Sequence, residues 1–363
     1  MNKNFISKPD ASFWKGKNVL ITGHTGFKGS WLSLWLLKMN SIVSGISLEP
    51  EYEYSLFNKL KIKKDINHKI CDVRNKEQIK NHIKEIKPDI VFHLAAQPLV
   101  VKSYDNPVET WETNVLGTIN VLEAIRLNRN ECTGIFITTD KVYKNNEWIY
   151  GYRETDELGG YDPYSSSKAA SELAIASWRA SFLNQKEYGE SLISITSARA
   201  GNVIGGGDWS ENRIIPDIIR SLIINEKIKI RNPSSTRPWQ HVLEPLCGYL
   251  ILAERLSHNK IEYSNPFNFG PFIDSNRTVK ELVDESIKNW DGEYYIDNNL
   301  NKPHEAGVLS LSIEKAIKYL DWQPKWDFSS TIEKTINWYK KVHIGSKSEL
   351  ECSLDDLNDY LGN

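Results

Sequence analysis

Tyr164 and Lys168 stand four residues apart, directly after Pro163. Proline suits the first turn of a helix, and residues at i and i+4 share one helical face. A phenol and an ammonium therefore project into the same space. A nearby ammonium stabilises phenolate and draws the tyrosine pKa down from its reference of about 10. That makes Tyr164 a candidate acid/base near neutral pH, with Lys168 also able to bond a ribose. A second constellation lies upstream, where Gly23, Gly26 and Gly29 follow the apolar run Val19, Leu20, Ile21. Gly23 allows a tight turn, Gly26 a close backbone approach, and Gly29 close packing of helix on strand. The helix that opens there presents free N–H groups and a positive dipole end to a pyrophosphate. His24 lies inside the turn and is expected to crowd the pyrophosphate or ribose.

These groups need a scaffold. Phe27, Trp31, Leu34 and Trp35 fall at helical spacing and make the stripe that packs a helix on a sheet. Apolar strand candidates at 42–46, 68–71, 90–92, 134–138 and 192–196 alternate with helical patterns from about 76, at 110–126 and at 164–182. That rhythm predicts a doubly wound parallel sheet with helices on both faces. Ligands of such sheets sit at the carboxyl ends of the strands. Those ends read Asp72, His93-Leu-Ala-Ala-Gln97 and Thr138-Thr-Asp-Lys141, and should converge on one crevice. After about 198 the rhythm gives way to glycine-rich loops and short strands, with helices near 213–225, 244–256, 279–289, 313–319 and 331–341. We read a dinucleotide-binding domain over 13–198, rejoined by part of 238–260. A smaller, interleaved α/β substrate lobe covers 199–345, and 346–363 is an acidic, polar, mobile tail.

The 363 residues carry a formal net charge of -2, with 40% hydrophobic and 25% charged residues. That is an ordinary globular balance with no electrostatic case for nucleic acid or a membrane surface. The four cysteines, Cys71, Cys132, Cys247 and Cys352, have no metal spacing. They suit buried thiols of a reducing cytoplasm. No bound metal is expected, no run is long enough to span a bilayer, and the first ten residues lack a signal peptide's apolar core. Twelve tryptophans and sixteen tyrosines serve mostly as core, with flat faces to spare for a sugar or base.

Thr22-Gly-x-x-Gly-x-x-Gly29, Leu94-Ala-Ala96, Asn114, Thr138-Thr-Asp-Lys-Val-Tyr143 and Tyr164-x-x-x-Lys168 together resemble the extended short-chain dehydrogenase/reductases. The strings Gly23-His-Thr-Gly-Phe-Lys-Gly-Ser-Trp-Leu32, Thr139-Asp-Lys-Val-Tyr143, Gly201-Asn-Val-Ile-Gly-Gly-Gly-Asp-Trp209 and Thr236-Arg-Pro-Trp-Gln-His-Val-Leu-Glu-Pro245 resemble the nucleotide-sugar 4,6-dehydratase branch, and the resemblance implies a CDP-linked glucose as substrate. The resemblance runs from about Trp14 to Tyr339. It implies an NAD cofactor touching Gly23, His24, Gly26, Phe27, Gly29, Asp72, Val73, Leu94, Ala95, Ala96, Asn114, Thr138, Tyr164 and Lys168. Serine rather than an acid at Ser47, and no arginine directly after it, leave NADP open.

The reaction implied is oxidation at carbon 4, loss of water across carbons 5 and 6, and return of hydride to carbon 6. Elimination needs an acid for the leaving hydroxyl and a base at carbon 5, and Asp140 and Lys141 are the candidates. Asp140 must then be protonated, which an apolar pocket favours. Lys141 must be neutral, or else stay charged and stabilise an enolate. Glutamate stands at the equivalent of Lys141 in the dTDP-glucose enzymes. Thr139 would bond the 4-oxygen. Arginine's planar fork suits phosphate oxygens, so Arg213 and Arg237, with Asn202 and His304, are the candidate substrate contacts. The alternatives are a dehydratase or epimerase for another nucleotide sugar, such as a GDP- or CDP-linked heptose, and an NAD-sensing protein without catalysis. The resemblance also implies a homodimer or higher homo-oligomer, built on the helices at 108–126 and around Tyr164.

Overall fold

The computed structural model describes residues 8–128, 130–183, 192–297 and 308–362. Seven strands form one sheet: β1 (Asn18–Thr22), β2 (Ile42–Ser47), β3 (Asn67–Ile70), β4 (Ile90–His93), β5 (Cys132–Ile137), β6 (Ile193–Ala200) and β7 (Phe267–Phe269). Their order is β7-β6-β5-β4-β1-β2-β3, and every pairing is parallel. The order reverses between β1 and β4, and a crevice opens at such a switch point. The central strands are apolar throughout because both faces are covered. Val19, Leu20 and Ile21 are fully buried, as are Val91 and Phe92.

Helix α1 (Phe27–Lys38) follows β1 and buries Trp31 and Trp35. Its uncharged, almost wholly buried middle matches a helix wedged between the sheet and the rest of the chain. Helix α2 (Lys76–Ile86) buries only Ile79, Ile83 and Ile86, a narrow stripe on an otherwise charged surface. The stretch expected as one helix over 108–126 has three parts. Pro107–Trp111 is α-helical, Glu112–Leu116 is a π-turn, and α3 (Gly117–Asn128) is regular again. Single π-turns recur at functional sites, and this one carries Asn114. Helix α4 (Pro163–Phe182) begins at Asp162, whose carboxylate accepts from Ser165 N, with Pro163 in its first turn.

The second half is not a separate body. Strand β6 crosses the expected boundary at 198. Helix α5 (Leu243–His258) packs on β5 and β6, and β7 closes the sheet edge beyond β6. The outer lobe is built on two-stranded pieces: Ile228–Ile230 with Tyr294–Ile296, and Thr236–Pro238 with Asn276–Thr278.

The segment read as a mobile polar tail is instead helix α6 (Glu349–Leu361), closed by a Ser348/Glu351 capping box. Leu350, Leu354, Leu357 and Leu361 recur at helical spacing within the acidic composition, and Cys352, Leu357 and Tyr360 are buried. Tyr360 OH donates to Glu244 Oε2 at 2.7 Å, so this helix docks on the start of α5. All four cysteines are buried, and none forms a disulfide. Among the described residues no helix is long and apolar enough to cross a membrane, and no cluster could hold a metal ion.

Candidate active site

The crevice is built first by the glycine turn. Gly23 has φ +78°, and a Cβ there would sit 2.7 Å from Ala95 N. A Cβ on Gly29 would meet Gly23 O at 2.2 Å. Neither position admits a side chain. The loop after β4 is drawn onto the turn by Leu94 N donating to Thr22 O and Ala95 N to Thr22 Oγ1, at 3.0 and 3.3 Å. Gly26 caps α1 without any side-chain acceptor, so the helix's first N–H groups face the crevice uncapped. Such a cradle of bare backbone fits a dinucleotide pyrophosphate. Phe27 packs toward Gly205, and Trp31 Nε1 donates to Gly206 O at 3.0 Å. The two glycine-rich loops thus share one wall.

Asn114 holds the next wall. Its Oδ1 accepts from Gln97 N at 2.8 Å, and its Nδ2 donates to Gln97 O and to Ser167 Oγ at 3.1 and 2.9 Å. The loop after β4, Ala96 included, is thereby tied to α4. Tyr164 and Lys168 are both buried on α4, on the shared face that their spacing requires. Lys168 Nζ donates to Ile137 O at 3.0 Å. The tyrosine departs from expectation in one respect. Burial pushes it up to about 12, with a hydrogen bond to Thr139 pulling the other way. Desolvation of the phenolate outweighs the Thr139 hydrogen bond and the Arg213 charge, while Lys168 Nζ is turned to a carbonyl. Lys168 itself is lowered to about 8 by burial, against the field of Glu172.

At the end of β5, Thr139 Oγ1 donates to Asp140 Oδ1 at 2.9 Å. Asp140 is 2% exposed, and burial raises its pKa above the usual carboxylate range, opposed by Lys141, Thr139 and Arg237. Its Oδ2 is buried without a hydrogen-bond partner. A Cβ at position 201 would sit 2.7 Å from that oxygen, so Gly201 leaves the carboxyl its room. Lys141 follows, half-buried, on a short 3-10 turn capped by Thr139.

The outer lobe contributes the cations. Arg213 donates from Nη1 to Asp208 Oδ2 at 2.9 Å and lies close enough to Tyr164 for its charge to stabilise the phenolate. Arg237 is buried beside Asp140, with Nη1 on Thr236 O. Asn202 O accepts from Gln240 N. His304 lies outside the described residues.

Other expected contacts are engaged within the chain. Asp72 pairs with Arg74 at 2.7 Å and Val73 is buried. His24, expected to crowd a pyrophosphate or ribose, is fully buried, with Nε2 2.7 Å from His68 Nδ1 and its ring against Phe57. Burial and His68 hold its pKa down to about 3. Thr138 Oγ1 donates to Glu172 Oε1.

Sequence reasoning missed Lys28, which donates to Tyr249 OH at 3.3 Å. Burial lowers it to about 7, helped by Arg213 and Lys168 and opposed by Asp140. A lysine beside Phe27, at the start of an otherwise apolar helix, was the available signal. It also missed Glu172, four residues after Lys168 on the same face.

Residues 20–335 match the family model for GDP-mannose 4,6 dehydratase. A CDP-glucose 4,6-dehydratase of Salmonella typhimurium is 46% identical over 354 residues, covering 97% of this chain and 98% of the relative. A CDP-paratose 2-epimerase of Salmonella typhi is 28% identical, covering 89% and 99%. Among solved structures, a dTDP-glucose 4,6-dehydratase of Streptomyces venezuelae with NAD bound superposes with a TM-score of 0.75 at 20% identity, covering 89% of this chain and 97% of that one. With the switch-point crevice, the glycine cradle and the Tyr164/Lys168 pair in place, these matches establish that the chain belongs to the GDP-mannose 4,6 dehydratase family.

Proposed function

We propose that this protein is an NAD-dependent CDP-glucose 4,6-dehydratase, converting CDP-glucose to CDP-4-keto-6-deoxyglucose in the cytoplasm. The observation that carries the reading is Asp140. A buried carboxyl, held toward its protonated form, keeps one oxygen free of protein partners at the strand end beside Tyr164. A plain dehydrogenase has no use for such an acid, whereas loss of water has. The 46% identity to a CDP-glucose 4,6-dehydratase along nearly the whole chain supports the nucleotide and the sugar.

Bound nicotinamide supplies the hydride acceptor for carbon 4 and the hydride donor for carbon 6. Tyr164 takes the proton of the 4-hydroxyl, aided by Lys168, and Thr139 bonds the 4-oxygen. The 4-ketone acidifies the proton on carbon 5, which Lys141 removes. Asp140 delivers its proton to the departing 6-hydroxyl. Arg213, Arg237 and Asn202 hold the diphosphate side of the substrate.

Product analysis with CDP-glucose deuterated at carbon 4 tests the reading. Deuterium should appear at carbon 6 of a 4-keto product. Label lost to solvent, or an unchanged hexose, would refute the internal transfer.

The protein is further read as a homodimer. Val108, Trp111 and Leu116 are 70%, 43% and 52% exposed and line one apolar groove with Pro107 and Val115. Leu173 and Phe182 of α4 are also exposed. Apolar surface gathered in one patch marks a site of association. Trp111→Glu should shift the protein to monomer in sedimentation equilibrium, and an unchanged mass would discard this face.

A further inference from the structure

We infer that Glu172, joined to Arg199, is a positioning residue for the dehydration. Its carboxylate ties α4 to the ends of β5 and β6 and supplies the negative charge that keeps Lys168 an ammonium. The inference rests on the reading of Lys168 as the cation that assists Tyr164.

The geometry is a buried network. Glu172 and Arg199 are 3% and 2% exposed. Glu172 Oε1 accepts from Thr138 Oγ1 at 2.5 Å, and Oε2 accepts from Ser197 Oγ at 2.7 Å and Arg199 Nη2 at 2.8 Å. Lys168 and Glu172 lie one helical turn apart. They are anchored to adjacent residues of one strand end, Lys168 to Ile137 O and Glu172 to Thr138. Thr139, Asp140 and Lys141 continue from that anchor. The network extends through Arg199 Nη1 to Tyr143 OH at 2.8 Å, and Tyr143 OH donates to Asn268 Oδ1 of β7 at 2.7 Å. Tyr143 closes the short turn that carries Asp140 and Lys141. One carboxylate thus sets the helix bearing Tyr164 against the strand end bearing the elimination pair.

The charge has a second effect. The titratable groups facing Lys168 are Tyr164 and Glu172 on its own helix, His93 at the end of β4 and Lys28 on α1. His93 is held neutral, down to about 3, by burial and by Lys168. Lys28 repels the ammonium. Among the described residues Glu172 is the one group whose field favours a charged Lys168. The carboxylate stays ionised despite burial because Arg199 and two hydroxyls bond its charged form.

Glu172→Gln keeps the shape and removes the charge. The alkaline limb of kcat should then move to lower pH by roughly one unit, while KM for CDP-glucose moves little. In the free protein labelled with [ε-13C]lysine, the Lys168 resonance, assigned by its loss in Lys168→Met, should titrate lower by the same amount. This readout needs neither substrate nor cofactor, so it stands apart from the proposed reaction. Glu172→Asp should keep the wild-type limb. Leaving Arg199 unpaired is costly, so Glu172→Gln/Arg199→Gln serves if the single variant does not fold. That double variant should lie between Glu172→Gln and the wild type. A folded variant without Glu172 whose Lys168 titration and alkaline limb match the wild type would overturn the inference.

Discussion

Replacing Tyr164 with phenylalanine is expected to lower turnover by roughly 10²–10⁴-fold, the span of a lost general acid/base. The ring remains, so the buried packing around α4 remains with it and thermal stability should move little. What goes is the hydroxyl that Thr139 meets and that is proposed to take the proton from the 4-hydroxyl. The phenol stands at about 12 in the free chain, so its proton can leave at neutral pH only with help. Lys168, Arg213 and the Thr139 hydroxyl are the groups placed to give it. KM for CDP-glucose should change far less than kcat, because the proposed diphosphate contacts, Arg213 and Arg237, lie on the outer lobe. A Tyr164→Phe protein that turns over at the wild-type rate would remove the phenol from the chemistry and revive the reading of a non-catalytic nicotinamide sensor.

The second large effect is expected at Asp140. Asparagine has the same outline and can still accept from Thr139, but it cannot hand a proton to a departing hydroxyl. Asp140→Asn should therefore lower formation of the 4-keto-6-deoxy product by roughly 10²–10⁴-fold while leaving oxidation at carbon 4 largely intact. In a single turnover the reduced nicotinamide should then build up and be visible by its near-ultraviolet absorbance. The raised pKa of Asp140 gives a direction to the pH dependence. The acid stays in its donating form to higher pH than an exposed aspartate, and dehydration fails as pH rises past that point. Equal loss of oxidation and of elimination in Asp140→Asn would show that the carboxyl acts earlier than proposed.

Much of the scaffold was readable because its signals are local. The apolar run before Gly23, the stripe from Phe27 to Trp35 and the Pro163 start of α4 each depend on neighbours in the chain, and each element forms where its pattern lies. The acidic and polar residues from 346 hid a helix because composition overshadowed the spacing of its leucines. The partner of Tyr360, Glu244, lies 116 residues away. The upward shift of the Tyr164 pKa was hidden for a related reason. Spacing revealed the lysine beside it, but desolvation belongs to the assembled crevice. His24 looked like a ligand contact while its partner, His68, waited on another strand. Lys28 and Glu172 each sit within four residues of a recognised motif position, yet their partners Tyr249 and Arg199 come from elements brought close only by folding.

The chain leaves the sheet after β6, builds the outer lobe, and returns to lay α5 across β5 and β6 and to add β7 at the edge. The connection between the lobes is therefore a stitch rather than a hinge. A cut in the outer lobe would leave both fragments holding strands of the same sheet, β1 to β6 in one and β7 in the other.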